Sequence, residues 1–541
     1  DGTLIYEAAA EPDFLYAGMG SGDELLLHFH PNSSVSELQS LAEGEGRQPL
    51  QGLMRSGDYA AARPFYALSD GFSARWPGFA AYLTQTTANH FAARENLGLY
   101  GSTNFGDMIA IDGGANAMDI NASGWGNNYY DGLLLTPARL LTMGAERRYL
   151  DILIPGARHW MESDAWQSDD PDDWMNGYCP AYSLHHRDVG HFQHHYGEGV
   201  WAYYYLSGDE RAREVGLNAA NSIIRQQAWG NENTGCRQAY QRASACLEAY
   251  KATTDPAYLA HARLLIAGRI LATQDHFGLL GGYFTEGGFH ITQEQTFMMA
   301  LFSDVLWKFI RELPDNDPDR QGYIDQLALL ADCIDTYARK QPGVEEYWNF
   351  WQNPPSDTNP PQPVTSGNGD ETVYWNGKAL IAGTYAYAYD LTGNTRYLDL
   401  ARNLLDHLWS SPDAFGQEFF GKASSQALKN VLHAMAIVDD ALTGIKRDSG
   451  TEPVAGFQLR PNYPNPFNPE TRITFQLRTA GPVELAVFNL AGEKVATLIR
   501  ETLPAGQHQV SWMPGDMASG VYFYRLSLGA KSETRKMVLL R

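Results

Sequence analysis

A ring of helical hairpins, an (α/α) toroid in a mainly α chain, with a short N-terminal β segment and a C-terminal antiparallel β-sandwich, is the fold class that this 541-residue sequence predicts. Three observations predict it. A pattern of helix, tight polar turn and second helix recurs four times; long aromatic-rich connections separate the repeats; and the residue pattern changes from helical to strand-like near residue 450.

Residues 1–75 come first and differ in kind. The apolar runs Phe14-Leu-Tyr-Ala17 and Glu24-Leu-Leu-Leu-His-Phe-His30, the second ending in a Pro-Asn turn, read as strands packed against the ring. The ring itself is expected over 76–446. Its turns are Leu141-Thr-Met-Gly-Ala-Glu-Arg-Arg-Tyr149-Leu150, Leu206-Ser-Gly-Asp-Glu-Arg211, Lys251-Ala-Thr-Thr-Asp-Pro-Ala-Tyr258-Leu259 and Leu391-Thr-Gly-Asn-Thr-Arg-Tyr397-Leu398. Segments 134–160, 199–228, 240–273, 295–339 and 378–410 carry apolar residues at three- and four-residue spacing, and a final helix fits 424–445. Hairpins repeating every roughly 45 to 65 residues suit a closed ring better than an open solenoid. Short turns then gather on one face, and the connections 101–131, 163–198, 274–294 and 341–377 gather on the other, where they build a cleft. Those connections hold Trp125, Trp166, Trp174, Tyr178, Tyr182, Tyr283, Trp348, Trp351, Tyr374 and Trp375, flat side chains suited to stacking on sugar rings or to filling space between helix ends. A linker at 447–455 precedes a sandwich over 456–541, whose strand-like runs are Ile473–Leu477, Val483–Phe488, His508–Trp512, Val521–Leu526 and Lys536–Leu540.

Composition narrows the function. With 44% hydrophobic and 19% charged residues, and 52 Gly and 27 Pro lacking a triplet period, the chain is neither disordered nor collagenous. No apolar run reaches the roughly 18 residues of a membrane helix, so no membrane insertion is expected. The formal net charge of -23 disfavours nucleic acid. From Thr451 to Arg541 there are ten Lys/Arg and seven Asp/Glu, so the acidity belongs to the helical part. Four cysteines are no disulfide scaffold; Cys236 and Cys246 are close enough to bridge a loop, and Cys179 and Cys333 read as buried apolar residues. No charged-then-apolar leader opens at Asp1, so an export signal is expected to have been removed or to precede this sequence.

At the C-terminus, Pro461-Asn-Tyr-Pro-Asn-Pro-Phe-Asn-Pro-Glu-Thr-Arg-Ile-Thr-Phe475, Phe488-Asn-Leu-Ala-Gly-Glu-Lys-Val495, Ala518-Ser-Gly-Val-Tyr-Phe-Tyr524 and Lys536-Met-Val-Leu-Leu540 resemble the C-terminal sorting domain of the type IX secretion system. The resemblance implies export through the periplasm, the type IX machinery as partner, and a secreted or cell-surface protein. Function then sits in the ring.

Two loop regions concentrate chemistry there. The first runs through Asn104-Phe-Gly-Asp107 and Trp125-Gly-Asn-Asn-Tyr-Tyr-Asp131; the second through Arg158-His159, His185-His-Arg-Asp188, His191 and His194-His-Tyr-Gly-Glu198. His and Asp at short spacing can bind transition metals, but no ligand signature fixes a geometry, so no metal or other cofactor is assigned. Asp164–Asp173 could take calcium through oxygen ligands, lacks EF-hand spacing, and reads better as a solvated acidic loop. His159 on its helix, Asp107 after Gly106 and Asp131 before Gly132 also admit plain structural roles, as core histidine and caps.

Together with Gly18-Met-Gly-Ser-Gly-Asp-Glu-Leu-Leu-Leu-His-Phe-His30, these pieces are similar to the rhamnogalacturonan exolyase-like proteins over about residues 12–215. That resemblance implies a toroid whose cleft acts on acidic polysaccharide, although the neutral run Asn121-Ala-Ser-Gly-Trp-Gly-Asn-Asn128 departs from the family's more basic loop. Elimination requires a uronate carboxylate neutralised as its neighbouring carbon loses a proton. Asn127, Asn128 and Arg187 are the candidate donors; Tyr130, His186, His191 and Tyr196 the candidate base and acid; Asn104, Trp125, Asp131, Asp188, His195 and Glu198 further substrate contacts. A toroid glycosidase using two carboxylates from Asp107, Asp131, Asp188, Glu198, Glu294 and Glu371 is one alternative, and a non-catalytic surface, filament or glycan-binding protein is another.

Overall fold

The computed structural model describes residues 66, 68, 75–97, 106–107, 128–144, 147–168, 170, 176–177, 197–227, 235–280, 283–285, 288–290, 294–352, 362–363, 372–410 and 421–443, and in the C-terminal part 457–459, 462, 465, 467–477, 480–489, 493–504, 506–515, 517–528 and 531–539. Contacts divide the chain into two compact units, Asp1–Lys446 and Arg447–Arg541.

The described part of the first unit is an (α/α) toroid. Its helices are α1 (Pro77–Leu97), α2 (Leu135–Thr142), α3 (Leu150–His159), α4 (Glu198–Ser207), α5 (Glu210–Gln227), α6 (Cys236–Thr253), α7 (Pro256–Leu265), α8 (Thr296–Glu312), α9 (Arg320–Cys333), α10 (Trp375–Thr392), α11 (Thr395–Leu408) and α12 (Gly421–Thr443). The six even-numbered helices pack each on the next, and α12 returns to α2, so the inner layer is closed. The odd-numbered helices lie outside. α1 completes that layer between α11 and α3: Trp76 Nε1 donates to Asp406 Oδ1 at 2.8 Å, Phe79 meets the Trp409 ring at 5.0 Å, and the Thr87 and Tyr149 hydroxyls lie 2.8 Å apart.

The turns show why the hairpins form where the sequence places them. Gly208 and Gly393 end α4 and α10 in the left-handed region, at φ 72° and 69°, which glycine enters without a Cβ penalty. Asn394 then caps α11 by accepting from Arg396 N, and Asp255 with Pro256 starts α7 by accepting from Ala257 N.

The N-termini of the inner helices share one face, the mouth. Small β pieces border it: β1 (Tyr283–Thr285) pairs with β2 (Gly288–His290), while β3 (Glu294–Gln295), β4 (Phe350–Gln352) and β5 (Gln362–Pro363) form a three-stranded antiparallel sheet. Cys236 and Cys246 do not bridge. Both are buried on α6, where a helix holds them apart, and burial pushes the Cys246 thiol up to about 12. Cys333 is buried as expected; Cys179 and the proposed strands before residue 66 lie outside the described residues.

The second unit contains two antiparallel sheets. One has the order β10 (Gly506–Trp512), β7 (Thr471–Leu477), β6 (Phe457–Leu459); the other β12 (Lys531–Leu539), β11 (Gly520–Leu528), β8 (Gly481–Phe488), β9 (Lys494–Leu503). Alternate residues of these strands, among them Ile473, Phe475, Leu485, Val487, Tyr524, Leu526 and Met537, make a shared core. β6 and β9 have no counterpart among the sequence-predicted strands; β9, Lys494-Val-Ala-Thr-Leu-Ile-Arg-Glu-Thr-Leu503, has no period-two apolar pattern and buries none of its residues deeply.

Candidate functional site

The chain entering α2 folds into a single 3₁₀ turn, Tyr129–Asp131, and two consecutive non-glycine residues there are left-handed: Tyr130 at φ 53° and Asp131 at φ 56°. Each such residue costs on the order of 1 to 3 kcal/mol and persists only where surrounding bonds over-determine it. They do so here. One Asp131 carboxylate oxygen accepts from Asn128 Nδ2 at 2.8 Å and from Gly199 N at 3.0 Å; the other accepts from Lys429 Nζ at 2.6 Å. The Asn128 carbonyl takes Leu133 N at 3.1 Å, so both ends of that amide are engaged inside the turn.

Glu198 opens α4 beside it. Its Oε2 accepts from Lys308 Nζ at 2.8 Å and faces Arg139 at 3.8 Å; its Oε1 accepts from the Tyr240 hydroxyl at 2.9 Å and lies 3.6 Å from Lys429. Lys308 continues to Asp304 at 2.5 Å, one turn back on α8, and Asp304 accepts from the Tyr387 hydroxyl at 2.8 Å. Arg139 donates to the Lys429 carbonyl at 2.6 Å. Three carboxylates and three cations, from the turn and from α2, α4, α8 and α12, thus balance in a buried cluster on the inner layer, with Tyr240 of α6 and Tyr387 of α10 joining them. Burial alone would raise Glu198, but Lys308, Lys429 and Arg139 outweigh it and hold its carboxyl well below the usual carboxylate range. Burial also works against charging Lys308, and Asp304 and Glu198 more than offset it, so its ammonium is held above the usual lysine range. Tyr240 and Tyr387 stay protonated donors, raised by burial and then by Glu198 and Asp304 respectively.

Asp131, Glu198, Asn128 and Tyr130, four of the sequence-derived site residues, therefore meet, all of them buried. Asn104, Trp125, Asn127, His186, Arg187, Asp188, His191, His195 and Tyr196 lie outside the described residues, as does Glu371. Sequence reasoning passed over Arg139, Asp304, Lys308 and Lys429. A signal existed: Asp304 and Lys308 are four apart inside the apolar run Ala300-Leu-Phe-Ser-Asp-Val-Leu-Trp-Lys-Phe-Ile310, the spacing of a helical ion pair with nowhere to face but the interior.

A second polar group is buried at the C-terminal end of α3. His159 Nε2 lies 3.4 Å from Asp164 Oδ1 and 3.8 Å from Asp107 Oδ2, and all three side chains are sealed from solvent. Asp164 is thus a core partner rather than part of a solvated loop, although Asp170 farther along is exposed. Among the described residues no three His, Cys, Asp or Glu are arranged to hold a metal ion. The other end of the ring receives Tyr66, whose hydroxyl donates to Glu312 at 2.9 Å beneath the Lys251 ammonium.

Residues 462–540 match the secretion system C-terminal sorting domain family. Among solved structures, the chain is similar to a sugar epimerase from a ruminal bacterium (13% identity, 65% of this chain and 98% of that one, TM-score 0.48). It is also similar to a polysaccharide lyase (14%, 67% and 98%, TM-score 0.46) and to the cellobiose 2-epimerase of Spirochaeta thermophila (15%, 68% and 98%, TM-score 0.46). No curated protein matches the sequence. The class defined is an (α/α) toroid carrying a sorting domain. Its C-terminal unit makes it an exported protein, secreted or held at the cell surface by way of the type IX machinery.

Proposed function

We propose that the toroid is a carbohydrate-active enzyme, a polysaccharide lyase that cleaves a uronate-containing glycan by β-elimination in the mouth. The observation that carries this reading is the left-handed pair Tyr130–Asp131, clamped by the buried charge cluster directly before α2. Strain held in place by several independent bonds marks functional turns, and this one lies within a sequence motif that already resembles a lyase family. The aromatic connections and the exported state fit a large extracellular sugar polymer.

In that reading Asn128 and Asp131 position the turn rather than touch substrate, since their polar atoms are committed to it. Neutralising the uronate carboxylate then falls to Asn127 and Arg187, with Asn104, Trp125, Asp188 and His195 as further contacts. One of Tyr130, His186, His191 and Tyr196 removes the proton on the carbon beside the carboxylate; the electron pair forms the new C=C bond, the glycosidic oxygen departs, and an acid from the same set protonates it. A glycosidase would need one carboxyl kept protonated. Glu198, held ionised by Lys308, Lys429 and Arg139, does not supply that acid.

The test is a panel of acidic and neutral polysaccharides read for both unsaturated-uronate absorbance and reducing ends. Absorbance rising with reducing ends on an acidic glycan, and lost in His191→Ala, is the expected result. Reducing ends without absorbance would establish a hydrolase, and binding without cleavage a glycan-binding protein.

A further inference from the structure

At the border of the mouth, with α12 between it and the strained turn, the chain leaves a small antiparallel ladder to enter α10. Trp348 bridges Thr372, Val373 N donates to the Tyr347 carbonyl at 2.8 Å, and Tyr374 becomes the N-cap residue of α10. Tyr374 is 71% exposed, while its neighbours Tyr347 and Val373 are buried. One helical turn on, Lys378 N donates to the Tyr374 carbonyl at 3.0 Å, so the two residues share the first turn of α10.

The charges around Lys378 are already assigned. Glu345 accepts from Arg339 at 2.8 Å and from the Tyr347 hydroxyl at 3.1 Å; Asp335 accepts from Arg339 at 2.8 Å; Glu346 lies 4.0 Å from Lys340, whose ammonium covers the Trp348 ring and bonds Thr372. Lys378 forms none of these pairs and is half-buried. Burial lowers it, Glu346 and Glu345 offset this only in part, and Lys340 adds to the lowering; His407, on the α11 side, is itself kept neutral by burial and by Lys378. A half-buried ammonium outside any ion pair, one helical turn from an exposed flat ring at the border of the mouth, is a place where an anion on an apolar-faced ring gains most.

We propose that Tyr374 and Lys378 form a binding subsite for a uronate residue, the sugar ring lying on the Tyr374 face and its carboxylate meeting the Lys378 ammonium. The subsite rests on the glycan-active reading above and deepens it by naming the charged sugar and where the chain of the polymer crosses the rim. It also supplies a positive contact that the neutral Asn121–Asn128 loop does not.

The test compares the full-length protein with Lys378→Gln, Lys378→Arg and Tyr374→Ala, using a soluble uronan and its methyl ester, with calorimetric binding and cleavage measured in parallel. Lys378→Gln is expected to weaken uronan binding about 10-fold, the scale of one charge-assisted contact, with kcat nearly unchanged and ester binding unaffected. Lys378→Arg restores the affinity, and Tyr374→Ala weakens acid and ester alike. Equal losses on acid and ester in Lys378→Gln, no loss at all, or a wild-type protein that does not bind uronan would overturn the subsite. A wild-type protein that binds uronan in this charge-dependent way without cleaving it would leave the subsite standing and remove the lyase reading.

Discussion

The two units solve the same problem, filling a centre, with opposite chemistry. The sandwich closes over Leu459, Ile473, Phe475, Leu485, Val487, Leu526 and Met537, with Asn462 and Thr471 bonding each other at 2.8 Å and Tyr524 accepting from Asn462 N at 2.9 Å. The ring brings six ionised side chains to its inner layer. Burying apolar area stabilises at roughly 25 cal/mol per Å², whereas a buried ion pair roughly breaks even against a hydrophobic replacement. The sandwich centre therefore serves stability, and the ring centre serves placement: its bonds hold Asp131 and Glu198 where the two mouth loops return to helix.

The sharpest way to break that contrast is to remove one charge. Lys429→Met leaves Asp131 without its cation and is expected to destabilise the ring by about 3 to 5 kcal/mol in denaturant unfolding. The double variant Asp131→Asn, Lys429→Met should be the milder one, because no unpaired carboxylate remains at the turn. If the single and double variants cost the same, the cluster is ordinary packing and the placement argument fails.

Next in size is the apolar centre. Leu485 is fully buried in β8, and Leu485→Ala is expected to cost about 3 kcal/mol, within the usual range for a core leucine. The loss should appear only in the unfolding step of the sandwich, leaving the helical transition and any glycan cleavage unchanged. A ring transition that moved with it would show that the two compact units do not unfold separately.

These centres were unequally legible. The hairpin turns could be read because Gly208, Gly393, Asn394 and Asp255-Pro256 act locally, through backbone conformation and caps that need no tertiary partner. α1 went unnoticed, as its Ala- and Thr-rich sequence carries little apolar periodicity and its place is set by Trp409, Trp375 and Tyr149, far away in sequence. The motif Asn128 to Asp131 was read as a site, yet its cations could not be: Arg139 and Lys429 are 290 residues apart, and only ring closure brings them together. Charge inside an apolar helical run, as at Asp304 and Lys308, was the one local clue.

The smallest effect concerns pH and separates the ring from the sandwich once more. His90 on α1 lines a cavity together with Thr87, Tyr149, Ser424 and Ser425, and burial, then Arg94, brings its imidazole down to about 4. Its folded value lies below the ordinary 6.5, so between those limits the unfolded chain binds the extra proton and stability falls as pH falls. The contribution is complete above about pH 6.5 and is lost on the way to pH 4. Glu198 works in a lower window: its stabilisation is complete above the unfolded carboxylate range and fades only below it. Softening of the ring at pH 5 to 6 should therefore come from His90, with a share from His407, and not from the ion cluster. His90→Gln is expected to flatten stability against pH in that interval for the helical transition alone, since the sandwich buries no histidine among its described residues. An unchanged slope in the variant would move the proton uptake elsewhere in the ring.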